Sequence, residues 1–474
     1  MPEMTPKAAP EKGPQQTPPA PRTAPETQPE TAPETQPAPR TAPQTPPETA
    51  PEQENLRKNF LWNTAGSLLY FAAQWLFTIV VWRADSAARA SYFAGLLNTA
   101  TAVTNMFLSL ASYGMYNYQA SDVQQKYAQS VYVRSRHFTC LASAALCAGY
   151  LGVSGLLGAG YTGMECLCVL AMLGFRLIES TTDVYNAIHQ KCGRLDIVGK
   201  TYAARGILSL GVFVGVLWTA QSLLAALAAM TAANLVFFFL YTKRKIIPFY
   251  TKTPAPLPAV SALLLECLPL AVYSFLSTTA ASIPKLALKQ LAGAEALGVY
   301  GSVTAPVLLL QVGATYLFTP FITVFARRWA ARDRRGFVRA VLGVEGAILL
   351  LLPLGLLVAD CLGAWGLATF VDASLASDAY LLGPMVVSAI LTASVLFFSM
   401  VLTVMRCMKE LIWANVCGMS AAAAVCVPCI RAWGMQGTTW AAVIALGVQL
   451  ALLVGAMAVR ARRAFAAGPA VPPM

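Results

Sequence analysis

The chain has 474 residues, of which 57% are hydrophobic and only 12% are charged, and its formal net charge is +12. A soluble globular domain carries roughly a quarter charged residues, so this composition excludes that class. Apolar runs after residue 58 reach the ~20 residues that a helix needs to cross a hydrocarbon core. We therefore expect an all-α, polytopic membrane protein.

The first 54 residues have a different composition from the rest of the chain. They hold 16 of the 30 prolines and repeat the motif in "TAPETQPE" (23–30) and "TAPETQPA" (31–38). Proline at this density opposes helix formation, and so few apolar residues cannot form a core. Segment 1–54 is predicted to be a disordered cytoplasmic tail, either a low-complexity extension or a docking arm. It lacks the apolar stretch of a signal peptide.

Twelve apolar segments follow, joined by short hydrophilic connections. The first six contain no proline, whereas segments seven to eleven each contain at least one. This pattern predicts two six-helix lobes with pseudo-twofold symmetry, at 55–242 and 260–459, as in transporters built from repeats. A linker at 243–259 would join the lobes, and a cytoplasmic tail would occupy 460–474. The segments run near 59–82, 91–116, 137–158, 165–186, 205–220, 222–242, 260–283, 297–322, 339–360, 379–405, 410–430 and 438–459.

Polar residues recur at helical spacing in helices one, two and four of each predicted lobe. Because polar groups are unfavourable against lipid, such stripes should face one another or water. One interpretation is a shared hydrophilic cavity, and the other is ordinary helix packing through small polar side chains. The stripes outside helix four comprise Asn63, Ser67, Tyr70, Gln74 and Thr78; Asn98, Thr101, Asn105, Ser109 and Ser112; Glu266, Tyr273 and Ser277; Thr304, Gln311 and Thr315; and Ser388, Thr392, Ser399 and Thr403.

Helix four stands out because Arg176, Glu179 and Asp183 lie one turn apart on one face. The donors of a guanidinium match the paired oxygens of a pyrophosphate. One interpretation is therefore an anion-binding arginine whose affinity two carboxylates moderate. The other is a self-neutralising ion network within the helix.

Further charged residues lie in or beside the apolar segments. Glu266 and Glu345 are expected to be buried acids, either proton or sodium coupling sites or neutral packing residues, because an isolated buried carboxylate takes up a proton. Lys285 and Lys289 lie one turn apart at the predicted outer end of helix seven, as membrane anchors or as a basic patch on the exit path. Arg83, at the outer end of helix one, is a further candidate contact.

The loop charges predict the orientation. With a cytoplasmic N-terminus, 24 Lys and Arg fall in cytoplasmic connections and five outside. This bias is the usual signal of topology, and it places both termini in the cytoplasm. It also explains the basic net charge without a nucleic-acid partner.

Four stretches of the sequence resemble those of a known family of bacterial proteins. The chain opening "NFLWNTAGSLLYFAAQWLFTIVVWR" with "YFAG", the loop "YGMYNYQASDVQQKY", the stretch "FRLIESTTDVYNAIHQKCGRLDIVGKTYAARGILSL" and the junction "SIPKLALKQLAGAEALGVYGS" carry the resemblance, over roughly residues 56–430. Arg176, Glu179, Asp183, Asp196 and Lys200 match the family motif around helix four. Two departures are Tyr116, where the loop pattern often has arginine, and "DSAARA" (85–90), where the family often has an acidic residue.

This resemblance is to the polysaccharide-transporter branch of the multidrug/oligosaccharidyl-lipid/polysaccharide exporter superfamily. It implies a flippase of the bacterial plasma membrane that moves undecaprenyl-pyrophosphate-linked oligosaccharide from the inner to the outer leaflet by alternating access. Membrane lipids, and a polysaccharide polymerase with assembly proteins, would be its partners. The candidate substrate contacts are Arg176, Glu179, Asp183, Asn63, Gln74, Asn98, Asn105, Gln311, Lys285, Lys289 and Arg83.

Two alternatives stay open at this point. A multidrug/cation antiporter of the same superfamily would share the fold but would have an acidic, aromatic site. A membrane polysaccharide polymerase would need catalytic groups on a substantial external loop, and the longest outer connection, about 361–378, has no histidine or arginine. We expect no catalytic residue, cofactor or metal, since "CVPC" (426–429) lies in apolar helix without a second ligand pair.

Overall fold

The structure, a computed structural model, describes residues 50–84, 87–122, 126–156, 161–318 and 321–466. The predicted disordered tail lies outside these ranges except for residues 50–54, which form the first turn of a helix. Within the described ranges the chain is helical and contains no strand. The helices are α1 Ala50–Arg83, α2 Ala87–Ser112, α3 Met115–Ser121, α4 Gln129–Leu156, α5 Gly163–Lys191, α6 Leu195–Ala220, α7 Leu223–Phe237, α8 Lys243–Ile246, α9 Leu257–Thr304, α10 Val307–Phe318, α11 Ile322–Ala330, α12 Arg334–Gly366, α13 Leu382–Val404 and α14 Met408–Ala466.

Over the residues that the structure describes, each of the twelve predicted membrane segments is mainly helical. Nine helices of the described ranges are long and apolar enough to span a membrane, and two of these nine, α9 and α14, are each two helices joined at a kink. The remaining segment is α5, which carries the charged residues of helix four. The predicted all-α, multi-pass architecture is confirmed, whereas the division into lobes at 55–242 and 260–459 stays a prediction.

The kinks occur where the backbone needs glycine. Gly293 in α9 has φ 89° and Gly434 in α14 has φ 56°, a region that L-residues with a side chain rarely adopt. The predicted end of helix seven at residue 283 is wrong, because α9 continues through Pro284 to Gly293. Lys285 and Lys289 therefore lie inside a helix, not beyond its end.

Helices α2 and α9 approach so closely that their backbones touch. A Cβ atom on Gly95 would lie 2.0 Å from the Ala294 carbonyl oxygen, and one on Gly298 would lie 2.2 Å from that of Ser91. The motif "YFAG" (92–95) thus packs against the backbone of α9 at Ala294 and Gly298. This contact joins the first and second predicted lobes.

Candidate functional site

Two adjoining cavities lie along α2. The first, here called the lysine cavity, has a volume of about 380 Å³ and is enclosed by α2, α9, α10, α13 and α14. Six of its ten polar lining side chains come from four of the predicted stripes, which therefore meet at one place. They are Asn105, Ser277, Lys285, Tyr300, Thr304, Gln311, Ser388, Thr392, Thr439 and Gln449.

Lys285 is the charged side chain of the lysine cavity. No Asp or Glu lines the cavity within the described ranges, and Lys285 makes no hydrogen bond or ion pair with any residue of those ranges. An ammonium group has three donors and no acceptor, and removing it from water without a counter-charge is unfavourable. The cavity is therefore electrically suited to an anion.

Three lining residues were missed in the sequence. Tyr300 accepts a hydrogen bond from Thr439 at 3.2 Å, and Gln449 donates to Asn415 at 3.0 Å. For Thr439 and Gln449, isolated polar residues in the long apolar run of α14 were the available signal. They were too sparse to form a stripe.

The second cavity, here called the Asp183 cavity, has a volume of about 440 Å³ and lies between α2, α3, α5, α6 and α9. Asp183 accepts a hydrogen bond from Tyr202 at 3.2 Å. Tyr116, the residue that departs from the family pattern, also lines it and donates to Gln190 at 2.6 Å. Asn105 lines both cavities, so the two spaces adjoin at this side chain.

Arg176 lines neither cavity. Its guanidinium forms an ion pair with Glu179 at 2.9 Å, and both side chains are only 13% exposed. Glu179 also accepts a hydrogen bond from Tyr70 at 2.6 Å. This geometry fits the ion network within helix four better than an arginine that is open to a ligand.

The 24 Lys and Arg predicted to lie in cytoplasmic connections included Arg136 and Arg205. Both side chains are buried, so the prediction that these two lie in loops is wrong. Arg136 and Arg205 are each 1% exposed. Arg136 donates to Ser180 at 3.0 Å, and the Arg205 guanidinium lies over the ring of Tyr70. The cause is helix length, because α4 and α6 begin 8 and 10 residues before the predicted starts at 137 and 205.

Contacts at the predicted outer end join α1 and α5 to the second half of the chain. Trp82 donates to Ser302 at 2.6 Å, and Arg83 donates to the Thr369 carbonyl at 2.6 Å. Lys289 forms an ion pair with Glu165 at 2.9 Å, with side-chain exposures of 6% and 4%. Lys289 is therefore compensated by a carboxylate, in contrast to Lys285.

Glu266 occupies the predicted cytoplasmic end and is not the buried acid that was expected. Its side chain is 36% exposed, because it faces the segment after α3. Lys126 forms an ion pair with it, and Tyr118 and Tyr127 donate hydrogen bonds to it. The hydrogen bond with Glu266 raises the pKa of Lys126, because it favours the charged form of the ammonium.

The remaining candidates are dispersed. Glu345 accepts a hydrogen bond from Ser394 at 2.7 Å and lines neither cavity. Asn98 donates to the Ala94 carbonyl at 2.8 Å and packs against Gly301. Asn63 and Gln74 also lie outside both cavities. Of the candidate substrate contacts, the cavities bring together Asn105, Gln311, Lys285 and Asp183.

The sequence matches no family model and no curated protein. The structure is similar to solved structures at low sequence identity. The lipid II flippase MurJ in an inward closed conformation has a TM-score of 0.62 and 12% identity, with 86% of this chain and 90% of that chain covered. An inward-facing multidrug transporter of the MATE family and MOP superfamily has a TM-score of 0.56 and 13% identity, with 86% of this chain and 98% of that chain covered. A mutant of the MATE transporter VcmN of Vibrio cholerae has a TM-score of 0.55 and 12% identity, with 88% of this chain and 98% of that chain covered. The chain therefore has the multi-pass helical fold of these membrane proteins.

Proposed function

We propose that this chain is a flippase that moves undecaprenyl-pyrophosphate-linked oligosaccharide from the inner to the outer leaflet of a bacterial plasma membrane. The observation that carries this proposal is the lysine cavity, in which the described lining offers one ammonium group and no carboxylate. A pyrophosphate supplies the missing negative charge and accepts charge-assisted hydrogen bonds. The structural similarity to the lipid II flippase MurJ supports a lipid-linked substrate.

The uncharged lining suits the sugar part of such a substrate. Gln311, Ser388 and Thr392 provide donors and acceptors in the same cavity as Lys285, and Asn105 provides them between the two cavities. A headgroup held here would keep its lipid tail in the bilayer. Arg176 would then support the position of helix four through its ion pair, and Lys285 would contact the pyrophosphate.

Alternating access would require the two ends to open in turn. At the predicted outer end the separable contacts are those of Trp82 with Ser302 and of Arg83 with Thr369. At the predicted cytoplasmic end they centre on Glu266. The connection at 243–259 would absorb the movement of the two predicted lobes, and both termini would lie in the cytoplasm. A polysaccharide polymerase would use the product.

A multidrug/cation antiporter is the second candidate. It is favoured by the structural similarity to MATE transporters and by Asp183, whose carboxyl group lines the second cavity. In that case Asp183 would bind the cation, and the ammonium group of Lys285 would repel it. The two candidates therefore assign opposite roles to Lys285.

Replacement of Lys285 tests the flippase proposal. In liposomes with a fluorescent undecaprenyl-pyrophosphate oligosaccharide, we expect Lys285→Gln to raise the half-saturating substrate concentration about 10- to 100-fold. The reason is that a hydrogen bond to a charged group contributes about 1.5–3 kcal/mol. Lys285→Arg keeps the charge and should retain most of the affinity.

The matched control is Lys252→Gln, which removes the same charge from an exposed site in the connection between α8 and α9. It should leave the half-saturating concentration unchanged. Transfer by Lys285→Gln at wild-type concentrations would contradict a pyrophosphate contact at this lysine.

A further inference from the structure

A second charged pocket lies apart from both cavities, where α11, α13 and α14 end. It has a volume of about 340 Å³ and is here called the arginine pocket. Arg406, Arg460 and Arg463 line it, together with Trp329 and Met405. The lining thus combines guanidinium groups with an aromatic and an apolar side chain.

The charge of this pocket is only partly compensated. Arg460 forms an ion pair with Glu410, its Nε lying 2.7 Å from the carboxylate. Arg406 and Arg463 are exposed, and neither pairs with an acid of the described ranges. Two guanidinium groups therefore remain available to an anion.

The backbone at Arg406 adopts a left-handed conformation. Arg406 has φ 57°, and it follows the last turn of α13, where its N–H donates to Thr403 and that of Cys407 donates to Leu402. This turn normally places glycine at the left-handed position, because a side chain there is strained. An arginine at this position therefore carries a backbone strain that glycine would avoid.

The helix dipole gives a simpler account of part of this pattern, because the C-terminal ends of helices attract cations. It explains why arginines gather near these ends. It does not explain why Trp329 and Met405 line the same pocket. Tryptophan is typical of the membrane interface, where a lipid headgroup meets its glycerol and acyl chains.

We propose that the arginine pocket binds the phosphodiester headgroup of an anionic phospholipid. Arg406 and Arg463 would hold the phosphate oxygens through paired donors, and Trp329 would contact the glycerol region. Basic pockets between membrane helices commonly bind anionic lipid headgroups in this way. The proposal is independent of the transported substrate.

The test is native mass spectrometry of the full-length protein in detergent, titrated with phosphatidylglycerol. We expect Arg406→Gln with Arg463→Gln to weaken binding of one phosphatidylglycerol about 30-fold, the equivalent of ~2 kcal/mol, because each basic residue near an anionic headgroup contributes about 1 kcal/mol. Arg335→Gln with Arg462→Gln removes two exposed charges outside the pocket. This control should change the dissociation constant less than about threefold, since separated surface charges are screened.

Arg406→Gly separates binding from folding. Glycine relieves the strained backbone, so this variant should unfold at a higher temperature than wild type while binding phosphatidylglycerol more weakly. Unchanged lipid affinity in this variant and in the double variant would overturn the proposal. Equal affinity for phosphatidylcholine would also overturn it, and so would complete competition by inorganic phosphate, which would indicate a site for free phosphate.

Discussion

Replacing Lys289 by methionine is expected to lower the free energy of unfolding by about 3–5 kcal/mol, because it leaves the buried carboxylate of Glu165 without its counter-charge. Glu165 accepts from the Lys289 ammonium at 2.9 Å and from the Thr162 backbone N–H at 2.8 Å. The ammonium also lies 3.8 Å from the centre of the Tyr161 ring. Thermal unfolding of the detergent-solubilised protein measures the loss.

The double variant Glu165→Gln with Lys289→Met provides the control. It removes both charges and should recover most of the lost stability, because no uncompensated ion remains buried. It should also retain transfer activity if Lys289 is structural. A folded double variant that has lost transfer would instead assign Lys289 to the substrate path.

The second large effect is expected at Gly298. An alanine Cβ there would lie 2.2 Å from the Ser91 carbonyl oxygen and 2.6 Å from the Gly95 nitrogen, so α2 and α9 must separate. We expect Gly298→Ala to destabilise this packed state by on the order of 3 kcal/mol, the upper range for overpacking. The readouts are the unfolding temperature and the rate of substrate transfer.

Gly343→Ala is the matched substitution, since nothing lies within 4 Å of a Cβ at that position in α12. It should be neutral or stabilising by up to about 1 kcal/mol, because alanine favours helix over glycine. If Gly298→Ala matched Gly343→Ala in unfolding temperature and transfer rate, the close contact of α2 with α9 would have no energetic role.

The fold was predictable from the sequence because membrane helices leave a strong local signal. Twelve apolar segments sufficed for the architecture, and the stripes that include Asn105 and Gln311 identified side chains of the lysine cavity. Helical periodicity records which residues share a face. It does not record how far a helix extends, and this is why Arg136 and Arg205 were assigned to loops.

Contacts between residues that are far apart in the chain could not be predicted from the sequence. Lys289 and Glu165 are 124 residues apart, and Glu266 meets Lys126 across 140 residues. No local pattern distinguishes a paired lysine from an uncompensated one, so Lys285 and Lys289 looked equivalent. Arg176 with Glu179 shows the same difficulty, because three-residue spacing fits both an ion pair and a ligand site.

The transported substrate of the wild-type protein is the most direct test of the flippase proposal. Purified protein in liposomes would be supplied, in parallel, with fluorescent undecaprenyl-pyrophosphate oligosaccharide and with an organic cation under a proton gradient. We predict protein-dependent leaflet transfer of the oligosaccharide lipid and no accumulation of the cation. Proton-driven transport of the cation without transfer of the lipid would contradict an anion-binding role for the lysine cavity and would assign the protein to cation antiport.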